Sequence, residues 1–180
     1  MADLSHRMLE LFETSHGPVH PRAWGVQLRR RFGYFTPDEY YEELLDRLIE
    51  CQSVWLDVGG GTTIFPGNAT LSKILSDRCE HLTVVDPSAN IEDNPYAHER
   101  IRGMLEDIPD IPRFTLATAR MVAEHVDDPM GFGRETGPGG APWREGGDLH
   151  GQSLVARDRP VRRDPNCGSS LGEADSLENA

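Results

Sequence analysis

The stretch Ser53-Val54-Trp55-Leu56-Asp57-Val58, broken off by Gly59-Gly60-Gly61, constrains this chain more than any other. A short, β-rich apolar run stopped by glycine reads as a strand buried on both faces, as a parallel sheet requires. A helix follows, with Asn68 placed to cap it and Leu71, Ile74 and Leu75 recurring at helical spacing. His81-Leu82-Thr83-Val84-Val85-Asp86-Pro87 is a second buried strand, and it ends in an acid. Strand, glycine turn, helix, strand is a βαβ unit. The fold class is therefore α/β, with a right-handed crossover.

The flanking segments extend this unit. Thr36-Pro37-Asp38-Glu39 opens a helix: Thr caps it, Pro takes the first helical position, and Glu39 completes a capping box. Tyr41, Leu44, Leu45, Leu48 and Ile49 give that helix one apolar face. A weaker strand is expected from Arg100 to Leu105 and a further one from Phe114 to Ala119, leading into a helix around Val122 to Val126. Residues 1–35 read as an N-terminal cover. Leu4, Met8, Leu11 and Phe12 suit a short amphipathic helix, and Arg29, Arg30 and Arg31 form a basic cluster expected to be a solvated face, with a substrate lid as the sharper alternative.

Beyond residue 130 these signals vanish. The 50-odd residues to the end hold more than half of the 18 glycines, with repeated prolines and scattered charge. No helical or alternating period runs through them, so a disordered tail is expected. The tail explains why only 37% of the chain is hydrophobic. Residues 36–129 are as apolar as a packed α/β unit requires. A formal net charge of −12 argues against a general affinity for nucleic acid or an anionic membrane. No apolar run approaches the roughly 20 residues of a membrane span, and the first residues lack the apolar core of a signal peptide. Three widely spaced cysteines fit neither a disulfide framework nor a metal knuckle, which points to a reducing, cytoplasmic setting. The histidines show no metal-ligand spacing, so no metal site is expected.

The chemistry centres on Asp57-Val58-Gly59-Gly60-Gly61, at the C-terminal end of the first strand, where α/β sheets bind ligands. Glycine there lets backbone approach a ligand closely. Asp86 ends the next strand, at the position that bonds ribose hydroxyls in nucleotide-binding βαβ units. Ordinary readings stand beside these: Asp57 as a strand cap, and Asp86-Pro87 as turn chemistry. An acid inside an apolar run is nonetheless costly without a partner, which favours a functional Asp57. A nicotinamide fingerprint fails at Ile64, where its last glycine belongs, and no GK[ST] follows to make a P-loop. What remains is a nucleoside-binding unit that does not hold a pyrophosphate.

WLDVGGGT, then VVDPS, then LEDIP, then FTLATARMVAEHVDDP, in that order, resembles the class I S-adenosylmethionine-dependent methyltransferases, in particular the type 11/12 methyltransferase-domain group. The resemblance covers residues 36–129. It implies a Rossmann-like three-layer sandwich, here incomplete, that binds S-adenosyl-L-methionine and methylates a small-molecule acceptor. It implies further that Asp57, Gly59, Gly60 and Gly61 surround the methionine portion, and that Asp86 and Pro87 meet the ribose. Glu106 and Asp107 would lie against the adenine, while Arg120 and Met121 would line the methionine side and the mouth of the acceptor site. His125 is the nearby candidate base, although a histidine there also suits a helix or sheet edge. Three departures stand out: Thr63 replaces a third glycine, Thr115 stands where the group has Asp, and Ile64–Asn68 lengthens the turn. Methyl transfer needs positioning and a water-poor pocket rather than a metal. A non-catalytic nucleoside-binding or interaction module is the second reading, and a nicotinamide oxidoreductase the third.

The group would continue with a helix, an Arg-Pro-Gly-Gly turn and a fifth strand, none of which follows here. Back-translated and read one base later, Glu135 to Ala156 can spell KLARVVRPGGKVVIFTVNRWSP, which contains the end of that helix, the turn and the strand. Codon freedom allows much of this, but Trp143 forces a glycine in the shifted frame. A frameshift between about Asp128 and Glu135 is therefore expected, leaving the fourth strand without its parallel neighbour and the acceptor half of the fold missing. The coding sequence is expected to continue as a methyltransferase in the +1 frame. Absence of that continuation, read directly from the nucleotides, overturns the frameshift.

Overall fold

In the computed structural model, residues 2–17, 24–105, 114–122 and 153–157 are described. Three helices precede the sheet: α1 (Ala2–His16), α2 (Trp24–Phe32) and α3 (Pro37–Leu48). The α/β unit then runs through β1 (Val54–Val58), α4 (Ala69–Arg78), β2 (His81–Asp86), a 3-10 turn at Ala89–Asp93, β3 (Glu99–Arg102) and β4 (Leu116–Arg120). A last strand, β5, spans Ser153–Arg157. The sheet order is β3-β2-β1-β4-β5. The first four strands are parallel, and β1 lies between β2 and β4.

The helix starts form as their residues require. The Thr36 hydroxyl accepts from the Glu39 amide at 3.3 Å, while the Glu39 carboxylate accepts from the Thr36 amide at 2.6 Å. Asn68 Oδ1 likewise takes the Leu71 amide at 3.0 Å. Each bond satisfies a donor that the first helical turn leaves open. The strand expected from Phe114 starts two residues later, because the Thr115 hydroxyl itself accepts from the Val54 amide at 3.0 Å. The weaker strand is likewise shorter than expected and ends at Arg102, where the Gly103 amide turns back to the Asp86 carbonyl.

Alternation divides the sheet into two faces. Trp55, Leu82, Val84 and Leu116 point to one side and pack with Leu11 of α1, Tyr41 and Leu45 of α3, and Leu71 and Leu75 of α4. Leu56, Val58, Val85, Ala117 and Ala119 point to the other, where Leu105, Phe114 and Val122 join them. Among the described residues the helices that bury side chains lie on the first face. The helix expected around Val122 to Val126 falls largely outside the described residues. No described helix is long and apolar enough to cross a membrane.

Three expectations are corrected. The β4 edge is not unpaired: β5 joins it antiparallel, with Thr118 opposite Val155 and Ala119 opposite Leu154. The span expected to form a structureless tail therefore contributes a strand at 153–157; its other residues lie outside the described ones. Five residues are too few to show a period. An apolar strand edge with open amides and carbonyls supplies the pairing that Leu154-Val155-Ala156 alone could not signal. The arginines of α2 are also not simply a solvated face. Arg29 binds Glu39 of α3 and lies 5.3 Å from the Phe12 ring centroid, and Arg30 binds Glu13 of α1.

Four acids of α3 that a helical wheel assigns to solvent are in fact buried: Glu39, Glu42, Glu43 and Asp46. A desolvated carboxylate requires donors or cations. Asp46 has two, Arg7 of α1 at 2.6 Å and Arg78 of α4 at 2.9 Å. Arg78 also donates to the Asp46 carbonyl at 2.8 Å. Replacing Arg78 with Leu is expected to lower unfolding free energy by about 1–3 kcal/mol in a urea titration, the cost of stripping hydrogen bonds from a buried charge.

Candidate functional site

The glycine turn follows β1 directly, over the C-terminal ends of β1 and β2. Gly59 and Gly61 have φ of +73° and +48°, a region that side chains avoid. Gly60 is excluded from other identities by space instead. A Cβ there would sit 2.5 Å from Asp57 Oδ2 and 2.8 Å from Val84 Cγ1. At Gly59 a Cβ would fall 2.3 Å from Val122 Cγ2, so the segment after β4 packs against the turn.

Asp57 lies beneath that turn and is only 5% exposed. The Thr118 hydroxyl donates to its Oδ1 at 2.8 Å, and the Trp55 indole N–H donates to Thr118 at 2.7 Å. Burial pushes the Asp57 carboxyl up to about 7, with the Asp86 charge adding to the rise; Thr118 and the Arg120 charge oppose it. Near neutral pH this group is thus balanced between acid and carboxylate. Sequence reasoning singled out Asp57 but missed Trp55 and Thr118 as its supports. The link between Asp57 and Thr118 depends on the β1–β4 register, which sets them side by side and which no single strand encodes.

Asp86 is built differently. It stands half-buried at the end of β2, and its carboxylate organises two backbone segments. Oδ2 accepts the Gly61 amide at 3.0 Å and Oδ1 accepts the Ser88 amide at 2.7 Å. The Asn94 side chain closes the same corner by donating to the Gly61 carbonyl at 3.0 Å. Pro87 follows on the exposed side. Arg120 ends β4, donating to Asp38 at 3.0 Å, and Met121 beside it is exposed with φ of +59°. A non-glycine residue in that conformation is uncommon.

The structure therefore gathers Asp57, Gly59, Gly60, Gly61, Asp86, Pro87, Arg120 and Met121 at the C-terminal ends of β1, β2 and β4. Glu106, Asp107 and His125 lie outside the described residues. Among the described residues no group of His, Cys, Asp and Glu side chains could hold a metal ion. Sequence reasoning also overlooked a neighbouring cavity of about 140 Å³, whose wall includes Tyr41 and Glu42 of α3, Phe65 and Arg120. The sequence pattern places Tyr41 on the apolar face of α3 and gives Glu42 no role. Their shared wall depends on how α3 meets the turn after β1.

No family model matches the chain, and no curated protein or solved structure gives a significant match.

The raised carboxyl has a consequence for stability. Unfolded, Asp57 titrates near 3.8; folded, near about 7. Between those values the native chain holds a proton that the unfolded chain has released. Stability therefore falls as pH rises from about 4 to about 7 and levels off above. Glu42, also pushed up to about 7 by burial, acts in the same direction and window. Asp57→Asn keeps an oxygen for Thr118 and removes the charge. Thermal melts across this range are expected to show a shallower decline for the variant, with a gain on the order of 1–4 kcal/mol at about pH 8.

Proposed function

We propose that the chain is the nucleoside-binding half of a class I S-adenosylmethionine-dependent methyltransferase, with a Rossmann-like arrangement of its sheet. The observation that carries this reading is the Gly61–Asp86 bond. It joins the glycine turn after the first strand to an acid ending the second, beside the point where strand order reverses between β1 and β4. Crevices at such reversal points bind nucleotides and nucleosides in open α/β sheets.

The residues present fit the cofactor on its ribose side. Each Asp86 oxygen accepts one backbone amide, and a carboxylate oxygen can accept a second hydrogen bond. Two vicinal hydroxyls could therefore bind without dismantling the corner. Gly59, Gly60 and Gly61 would hold the methionine portion, and Arg120 and Met121 would border it. Bound there, S-adenosyl-L-methionine supplies a methyl group on a sulfonium sulfur, open to in-line attack by a nucleophile. Asp86 orients, the glycine turn permits close backbone approach, and Val122 packs against Gly59. Turnover on a small-molecule acceptor is not expected if the second half of the fold has been replaced by a shifted frame. A binding module without catalysis is then what remains, and the β4–β5 pairing favours it by giving the half-sheet a closed flank.

Isothermal titration of the full chain with S-adenosylhomocysteine tests the reading. A micromolar Kd is expected. Asp86→Asn, which keeps one acceptor oxygen and loses the charge, is expected to weaken binding about 10- to 100-fold, as loss of charge-assisted hydrogen bonds does. No binding of S-adenosylhomocysteine, together with a melting shift from NAD, would favour the nicotinamide reading instead.

A further inference from the structure

Beside the crevice, the cavity of about 140 Å³ is bounded by the end of α1, the start of α3, the turn at residues 65–67 and Arg120 of β4. Its volume corresponds to on the order of four or five water molecules, room for a very small ligand. Most charged groups in its wall are matched. Arg29 and His16 both bind Glu39, and Arg120 binds Asp38. Glu42 differs. It is only 5% exposed, and its hydrogen-bond partner among the described residues is uncharged, the Asn68 amide at 2.8 Å. Tyr41 and Phe65 meet edge to face, with ring centroids 6.1 Å apart, and both rings line the same space. With Glu42 ionised the wall carries Asp38, Glu39 and Glu42 against Arg29 and Arg120, an excess of one negative charge unless His16 is protonated. A buried carboxylate lacking a hydrogen-bonded cation, next to aromatic faces, is the chemistry that recognises an ammonium group.

We propose that this cavity binds a small primary ammonium ion, with Glu42 as its counter-charge. The site adjoins the nucleoside crevice through Arg120 but does not rest on the nucleoside reading. Burial, together with the charges of Glu39 and Asp38, holds the Glu42 carboxyl up at about 7, while Asn68 and Arg120 oppose the rise. A bound cation favours the ionised form. Affinity should therefore increase with pH until Glu42 is fully ionised, while an alkylammonium ion itself stays protonated.

The test uses the full chain, without nucleoside, and n-propylammonium as the probe, followed by NMR chemical-shift titration. n-Propanol and propionate serve as neutral and anionic counterparts of similar size. Saturable binding of n-propylammonium is expected in the millimolar range, with n-propanol and propionate at least about tenfold weaker. From about pH 8 to about pH 6 the affinity is expected to fall about tenfold, one proton being taken up by Glu42. Glu42→Gln should weaken binding about tenfold at pH 8 and abolish the pH dependence. An imidazole titrates in the same range, so a pH dependence that survives E42Q assigns the effect to His16 and overturns the proposal. So does tighter binding of propionate than of n-propylammonium, or no binding of n-propylammonium at all. If E42Q does not fold, His16→Gln decides: a pH dependence that persists in it supports Glu42, and one that it abolishes overturns the proposal. Because nucleoside is absent, failure here leaves the S-adenosylhomocysteine reading standing, and the reverse.

Discussion

A carboxyl group removed from water must find a donor, find a cation or hold a proton. This chain takes five of them into one region: Glu39, Glu42, Glu43 and Asp46 on α3, and Asp57 at the end of β1. Each solves the problem differently, and all but one of the solutions join separate elements. Asp46 draws arginines from α1 and α4. Glu39 draws Arg29 from α2 and His16 from α1 while closing its own capping box. Glu43 pairs within its helix with Arg47. Asp57 leans on a hydroxyl from β4, and Glu42 on the amide that caps α4. Helix α3 is therefore a polar hub as well as an apolar cover.

The same constraint shapes the candidate site. Two aspartates stand near the C-terminal ends of adjacent strands, yet their surroundings assign them opposite characters. Asp57, sealed beneath Gly60, is held near the midpoint between acid and carboxylate. Asp86 remains partly open to water and uses both oxygens to anchor backbone amides. Hydrogen bonds from a pair of hydroxyls suit the second group better than the first, since it is not fully buried. The glycine turn between them has one position excluded by sterics and two by positive φ. That is a stricter requirement than flexibility.

Residues 153–157 bear on how such a sheet persists. Parallel strands are normally buried on both faces and flanked by others. Here β4 gains an antiparallel partner drawn from a segment rich in glycine, proline and charge. Backbone pairing needs only open amides and carbonyls along an edge, and it places little demand on sequence. A short apolar triplet, Leu154-Val155-Ala156, is enough.

Local information was legible in the sequence itself. Capping by Thr36 and Asn68, the glycine break after β1, the buried runs of β1 and β2 and the helix around Leu11 all follow from spacing and side-chain type, because each depends on residues a few positions apart. The candidate site was legible to the extent that strand ends and glycines mark it, hence Asp57, Gly59–Gly61 and Asp86. Tertiary structure alone decided the rest. Register set Thr118 against Asp57, helix packing buried Glu42 beside Phe65, and an open edge recruited β5. These pairings join residues far apart in the chain. Their energies arise from desolvation and complementary groups, which exist only once distant segments meet.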